Sequence, residues 1–393
     1  MVTINTNIKL VPILITFFLL ELFVGGSGQV FKIFQISFRQ ILFVLILLIF
    51  IFDLITNKVK LTVNFISLNI LFILLGVLLS SILGLISSHD ARIIIKDVTP
   101  MLYFLLYFPL HAYFLKYEVT YEYVLKILVH STVIMSIALI ITFMILNIAF
   151  GGDLYIFREV IEQTIGKDVF WFRSNGFVFY PGLVYSLVAA ILLFGKLVAF
   201  RKLTIYETFA LSLSILALVI SMTKGLILSL AIGFLLLIFT KKTTVLVKMS
   251  SIFLCTIITL ILFSLFDFSR FTDLGNDSGT STRIKTIEES TKVINENILL
   301  GNGYGTELPT KKFHQENSFI DIVVEQGLLG LFLYLTLFTY IFIRRKQNID
   351  LTIAMLAVAL MSLTNPYINN PLGIGLIILT LIFIGNNKVV IND

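Results

Sequence analysis

The sequence predicts an all-α fold: a polytopic integral membrane protein of about twelve transmembrane helices, with a long outward-facing loop that carries an amphipathic helix. Three observations carry that prediction. Of the 393 residues, 58% are hydrophobic and 13% are charged, whereas a soluble domain keeps about a quarter of its residues charged. Continuous apolar runs recur along the chain, and the mean hydropathy is +1.00. Basic residues gather on alternate loops between those runs.

In chain order the runs are 8–24, 38–56, 64–86, 98–115, 122–149, 177–195, 204–221, 224–240, 248–266, 319–343, 351–365 and 371–386. Each is expected to be a helix, because lipid offers no partner for open backbone. A β-barrel would need short alternating segments instead. The two runs flanking "SMTKG" are joined so tightly that one of them reads equally as re-entrant. The first run has neither a basic leader nor a small-residue cleavage site, so it reads as an anchor and not as a signal peptide.

Lys58 and Lys60, then Lys196, Arg201 and Lys202, then Lys241, Lys242 and Lys248, then Arg344, Arg345 and Lys346 mark the cytoplasmic loops by the positive-inside rule. Both termini are then cytoplasmic, and residues 151–176 and 267–318 face outward. The net charge of +6 is absorbed by the inner loops and calls for no nucleic-acid partner. Cys255 lies alone in a run, so no disulfide is expected within the chain. No appended soluble domain, low-complexity tract or internal repeat interrupts what reads as one membrane domain over 1–393.

The second outward loop is too long for a plain connection and has the length of a lid or binding loop. Within it, Ile284, Ile287, Thr291, Ile294 and Ile298 recur at three- and four-residue steps, which predicts one apolar stripe on a helix. That helix would lie on the membrane surface or cap a cavity. The glycines of "GNGYG" then end it.

Four groups of residues are suited to chemistry. Arg173, in "WFRSNGFVFYPG", is either an anion clamp offering a rigid fork of donors or an interfacial arginine snorkelling beside Trp171. Arg283 opens the loop helix, where the helix dipole disfavours a cation, so an anion should compensate it: a ligand, Glu288 or another acid. Lys224, between two apolar runs, either meets an anionic substrate or sits at a plain interfacial turn. His314 and Glu316 precede the tenth run, and Asp321 and Glu325 share one face of its first turns. An unperturbed histidine titrates near neutrality, so His314 suits proton transfer, with Glu316 the alternative base. His89 falls in a short outer turn, and His111 and His130 near inner span ends read as packing residues. No zinc spacing, nucleotide-binding glycine loop or paired-aspartate motif is present, so neither a metal nor a cofactor is expected.

Together these pieces resemble the O-antigen ligase and polymerase superfamily of bacterial envelope membrane glycosyltransferases. The resemblance is sharpest from Arg283 to Leu331, over "NENILLGNGYG" and "NSFIDIVVEQGLLGLFLYL". "FRSNGFVFYPG" is similar to the family's outward Arg-x-x-Gly segment, and "ISMTKGLILSL" to its Ser-Arg-Gly segment, with Lys224 where arginine is usual. The family often has His directly before the Asn of its Asn-Ser run. Here Glu316 takes that place and His314 lies two residues earlier, which favours a polymerase over a ligase.

The resemblance implies a metal-independent glycosyltransferase of the GT-C type in the bacterial inner membrane, with its active site facing outward. Arg173, Arg283 and Lys224 would hold the polyprenyl diphosphate of a lipid-linked glycan donor. His314 or Glu316 would orient or deprotonate the acceptor hydroxyl of another lipid-linked repeat unit. A chain-length regulator protein is a possible further partner. The rival expectations are a ligase passing glycan to lipid A–core or another terminal acceptor, and a lipid-linked glycan flippase or transporter with no chemistry. A flippase should carry charges at mid-span positions, and here the polar groups gather outside the spans.

Overall fold

The computed structural model describes residues 7–26, 32–33, 36–151, 153–164, 170–172, 177–241, 249, 278–309 and 316–385. The predicted span 248–266, Arg173 and His314 lie outside the described residues. The protein is an all-α, polytopic membrane protein. Among the described residues five helices are long and apolar enough to cross a bilayer: Phe38–Ile55, Phe65–Ile86, Ala91–Lys116, Tyr121–Ala149 and Ser318–Ile343. Shorter apolar helices stand at or near the other predicted positions that fall among the described residues.

The chain divides into two compact units. The first comprises Met1–Val63, Leu105–Leu230 and Ile378–Asp393, and the second Asn64–Phe104 and Ala231–Ile377. In the first unit lie α1 (Asn7–Val24), α2 (Phe38–Ile55), α5 (Tyr107–Lys116), α6 (Tyr121–Met144), α7 (Leu154–Thr164), α8 (Leu183–Val198) and α9 (Ile205–Ile220). Helix α6 packs against α1, α8 and α9, and its centre is all apolar or small. A buried ion pair joins Arg39 of α2 to Glu21 of α1, and the same guanidinium donates to the Gly26 carbonyl at 2.9 Å. A buried charge of this kind is tolerated only when paired and hydrogen-bonded.

The second unit holds α3 (Phe65–Ile86), α4 (Ala91–Met101), α11 (Ser278–Glu296), α12 (Ser318–Ile343) and α13 (Ile349–Met361). Helices α10 (Lys224–Thr240) and α14 (Pro371–Gly385) run across the division between units. Helix α12 packs on α3 and on α11.

Helix starts follow side-chain capping. Ser37, Asn64 and Thr204 each accept from the backbone three residues on, and each is answered by that residue's side chain. Helix ends are less visible in the sequence. Asn57, Ser88, Glu118, Phe200 and Met222 stand in the left-handed region just past α2, α3, α5, α8 and α9. Glycine is the usual residue there, and a side chain costs about 1–2 kcal/mol in that conformation.

One span and one loop differ from the hydropathy reading. The span predicted at 98–115 begins earlier, at Ala91, and passes through a 3-10 turn at Leu102–Leu106. Pro100, inside the helix just before that turn, has no amide to donate to the Lys96 carbonyl. The first outward loop is structured as well: α7 starts where Asp153 accepts from the Tyr155 and Ile156 amides, at 3.0 and 3.3 Å. It is followed by a hairpin of β3 (Trp171–Phe172) and β4 (Val178–Phe179). A second short hairpin, β1 (Lys32–Ile33) with β2 (Ile36–Ser37), precedes α2.

Candidate active site

Helix α12 is broken at Gly327, whose φ of 67° and ψ of −168° are open essentially to glycine alone. A break inside a membrane helix frees backbone groups that lipid cannot satisfy. Here the preceding loop satisfies them. The Asn302 and Gly303 amides donate to the Val324 and Glu325 carbonyls at 2.8 and 3.1 Å, and the Leu328 and Leu329 amides donate to the Ile298 and Leu299 carbonyls at 2.9 and 3.2 Å. The "ILLGNGYG" and "VEQGLLG" segments are therefore two halves of one interlock. Gly303, at φ 86°, lies against the Gly84 backbone of α3, where a β-carbon has no room.

The interlock is buried and polar. Tyr304 is fully enclosed: its amide donates to the Ser80 carbonyl at 3.1 Å, and its hydroxyl accepts from Gln326 Nε2 at 2.7 Å. His89 Nδ1 meets the Tyr304 carbonyl at 2.9 Å, and the Gly305 amide donates to Asp97 at 3.0 Å. Burial, and then the nearby Glu325 carboxyl, push the Tyr304 phenol well above its ordinary range, so it stays a neutral hydroxyl. Asn302 Nδ2 donates to the Val293 carbonyl at 2.7 Å, fixing α11 to the loop that follows it.

The loop helix α11 has three sides. Thr286 and Ser290 are buried, and α11 packs on α12. Lys285, Glu288, Lys292 and Glu296 are exposed on a second side. The predicted stripe, as far as Ile294, forms the third, with Ile284 and Ile287 still 54% and 45% exposed; the helix ends at Glu296, ahead of Ile298 and of the glycines expected to end it. Position 283 borders the protein side and the isoleucine side.

Arg283 pairs with Glu316, each side chain a little over two-fifths exposed. The helix begins at Ser278, so Arg283 stands in its second turn and does not open it as the sequence suggested, and Glu316 is the acid that compensates the cation. The two side chains line a small cavity of about 50 Å³ with Thr282, Thr286, Ile287, Asn317 and Leu363. That volume holds a few waters and no diphosphate. Asn317 caps α12 by accepting from the Phe319 and Ile320 amides at 3.0 and 3.2 Å. The Ser318 hydroxyl donates to Asn369 Oδ1 at 3.0 Å, and its amide donates to the Ser362 carbonyl at 2.9 Å. The Asn-Ser pair therefore fixes where Glu316 enters the helix.

Asp321 and Glu325 do share the face expected of them, and both are buried. Asp321 accepts from Asn369 Nδ2 at 2.6 Å. Glu325 Oε2 has no hydrogen-bond partner among the described residues. Neither lines the cavity beside Arg283. Lys224 is the first residue of α10 and half-buried, separated from the end of α9 by Ser221, Met222 and Thr223. The structure brings Arg283, Glu316 and Asn317 together. Sequence reasoning missed Tyr304, Asn369 and Asp97, because their partners lie far away in the chain. The glycines of "GNGYG" were the signal for Tyr304.

A family profile described as O-antigen ligase matches residues 209–335, a stretch holding α11, the interlock and most of α12. Over 391 residues the chain is 25% identical to an O-antigen polymerase of Shigella flexneri, covering 96% of each protein. The glycine interlock, the capped Asn-Ser helix start and Arg283 of the loop helix all fall inside that matched stretch, so it is over the candidate site that the chain is similar to the O-antigen ligase and polymerase superfamily.

Proposed function

We propose that this protein is a polymerase of bacterial surface polysaccharide, O-antigen or capsule, acting at the outer face of the cytoplasmic membrane. It would transfer a polyprenyl-diphosphate-linked glycan onto the non-reducing end of another lipid-linked repeat unit. The single observation that carries this reading is the Arg283–Glu316 pair lining a small cavity beside the Asn317-capped start of α12. The similarity over nearly its whole length to an O-antigen polymerase supports it.

In the proposed reaction the acceptor hydroxyl oxygen attacks the anomeric carbon of the donor. The bond from that carbon to the diphosphate breaks, and polyprenyl diphosphate leaves with the electron pair. Negative charge grows on the leaving group, and a fixed guanidinium stabilises it where water is scarce. Arg283 is read as part of that clamp, with Arg173 and Lys224. The hydroxyl proton passes to Glu316 or His314. The diphosphate is already an activated leaving group, so the reaction asks for neither nucleotide nor metal. Because Glu316 occupies the guanidinium of Arg283, donor binding would displace it and release the carboxylate toward the acceptor.

Deletion of the gene tests the reading. Single repeat units on lipid carrier should accumulate, and polymer should return with the restored gene. The matching profile's description as a ligase supports a second reading, transfer of glycan to a terminal acceptor. That reading requires finished long polymer on the lipid carrier in the deletion strain. The twelve-span topology with both termini inside, the single membrane domain and the outward loops belong to the same proposal.

A further inference from the structure

The chain's single tryptophan, Trp171, stands in the first outward loop and is 60% exposed. It borders a cavity of about 330 Å³ between α7 and β3, lined by Leu154, Arg158, Phe170, Trp171 and Phe172. That volume is at the lower end of the range for small-molecule sites, about 300–1,000 Å³, and suits one sugar ring. We propose that this cavity is a sugar subsite, with Trp171 as the stacking platform and Arg158 as the donor to the ring's hydroxyls or to an acidic sugar's carboxylate. The assignment rests on the glycan-transfer reading.

The walls are built rather than incidental. Leu154 and Arg158 are one turn apart on α7 and so share a face. Between them in the chain, Phe157 is buried and meets Phe150 and Phe172 edge to face, at centroid distances of 5.1 and 5.2 Å. This ties the helix to the hairpin. Across the hairpin Trp171 is opposite Phe179, with rings 6.4 Å apart and nearly perpendicular, while Phe170 rests on Tyr180 at 5.4 Å.

The chemistry matches a pyranose. Such a ring has an apolar C–H face, which an indole covers well, and a rim of hydroxyls that a guanidinium with five donors can serve. A lipid chain would gain nothing from Arg158. On the glycan-transfer reading, a sugar of the lipid-linked donor is the fitting occupant.

Trp171 reports its own ligand, because no other tryptophan contributes to the emission. The full-length protein reconstituted in lipid vesicles would be titrated with the repeat-unit oligosaccharide released by mild acid from the lipid-linked intermediates of the deletion strain. An unrelated trisaccharide serves as control. A saturable change in emission is expected, and Arg158→Ala should weaken it at least about tenfold, as loss of a charged hydrogen bond does. In elongation assays Trp171→Ala should raise the KM for donor more than it lowers kcat, with Trp171→Phe restoring most of the loss. Emission that ignores the oligosaccharide but is quenched by lipids brominated in their acyl chains would make Trp171 a bilayer anchor and overturn the subsite. Saturable binding indifferent to Arg158→Ala overturns it too. Binding without any glycan transfer would instead refute the transferase reading and leave the subsite standing.

Discussion

At the scale of single residues, the pairing of Arg283 with Glu316 decides most. A guanidinium binds carboxylate or phosphate through a planar fork, which a lysine lacks. Arg283→Lys should therefore lose most elongation at unchanged protein level, and full activity would remove Arg283 from the mechanism. Glu316→Gln empties the seat of its competing charge, so binding of inorganic pyrophosphate, followed by calorimetry, should tighten while elongation falls. General bases typically contribute about 10²–10⁴ in rate, so loss of the base turns a polymer ladder into single repeat units. If His314 is that base, His314→Ala produces the collapse and leaves donor binding intact. If Glu316 is the base, Glu316→Gln alone produces it. Normal polymer from both variants would leave catalysis to the cationic clamp and substrate positioning. The charged residues were all readable in the sequence, yet their partners were not. Arg283 and Glu316 are 33 positions apart, with the interlock between them.

At the scale of elements, the glycine loop and the broken helix α12 behave as one piece. An added side chain at Gly327 would be forced into a conformation that costs about 1–3 kcal/mol and onto the Leu299 carbonyl. Gly327→Ala should lower the thermal unfolding midpoint in detergent and abolish elongation, because the break and its four backbone bonds would be lost together. An unchanged midpoint would mean the interlock contributes nothing to stability. Helix α11 carries a second prediction. Its exposed isoleucines continue through Ile298 and Leu299 to Leu328 and Leu329 of the membrane helix, to which they are joined by backbone bonds. An apolar side of this kind seats in the headgroup–acyl boundary, about 5–10 Å deep. A bimane on Ile287→Cys should be quenched by brominated lipids, and one on Lys292→Cys by aqueous iodide. Equal iodide quenching at both would place the helix in water. The periodicity of α11 was legible in the sequence. Which side faces protein was not, because Thr286 and Ser290 are buried by contact geometry and not by hydrophobicity.

At the scale of the whole molecule, α12 runs 26 residues from Ser318 to Ile343 with a break at Gly327, and by length and composition it is enough to cross a bilayer. Glu307 and Lys346, both exposed, stand before and after it. In a Cys255→Ser background, cysteines placed at these two positions should label oppositely with an impermeant thiol reagent, Glu307→Cys from outside and Lys346→Cys only after the membrane is opened. Labelling of both from outside would refute the proposed topology. Hydropathy and loop charge by themselves determined the membrane class, the helical character and the positions of most helices, because burying backbone in lipid leaves one local solution. Local residue types likewise determined the helix starts, since a cap acts within three residues. Only the tertiary structure decided that α12 is broken, that "GNGYG" mends it, and that Glu316 rather than Glu288 answers Arg283. These depend on segments distant in the chain meeting at hydrogen-bond range, and no local pattern encodes which buried amide will find which carbonyl.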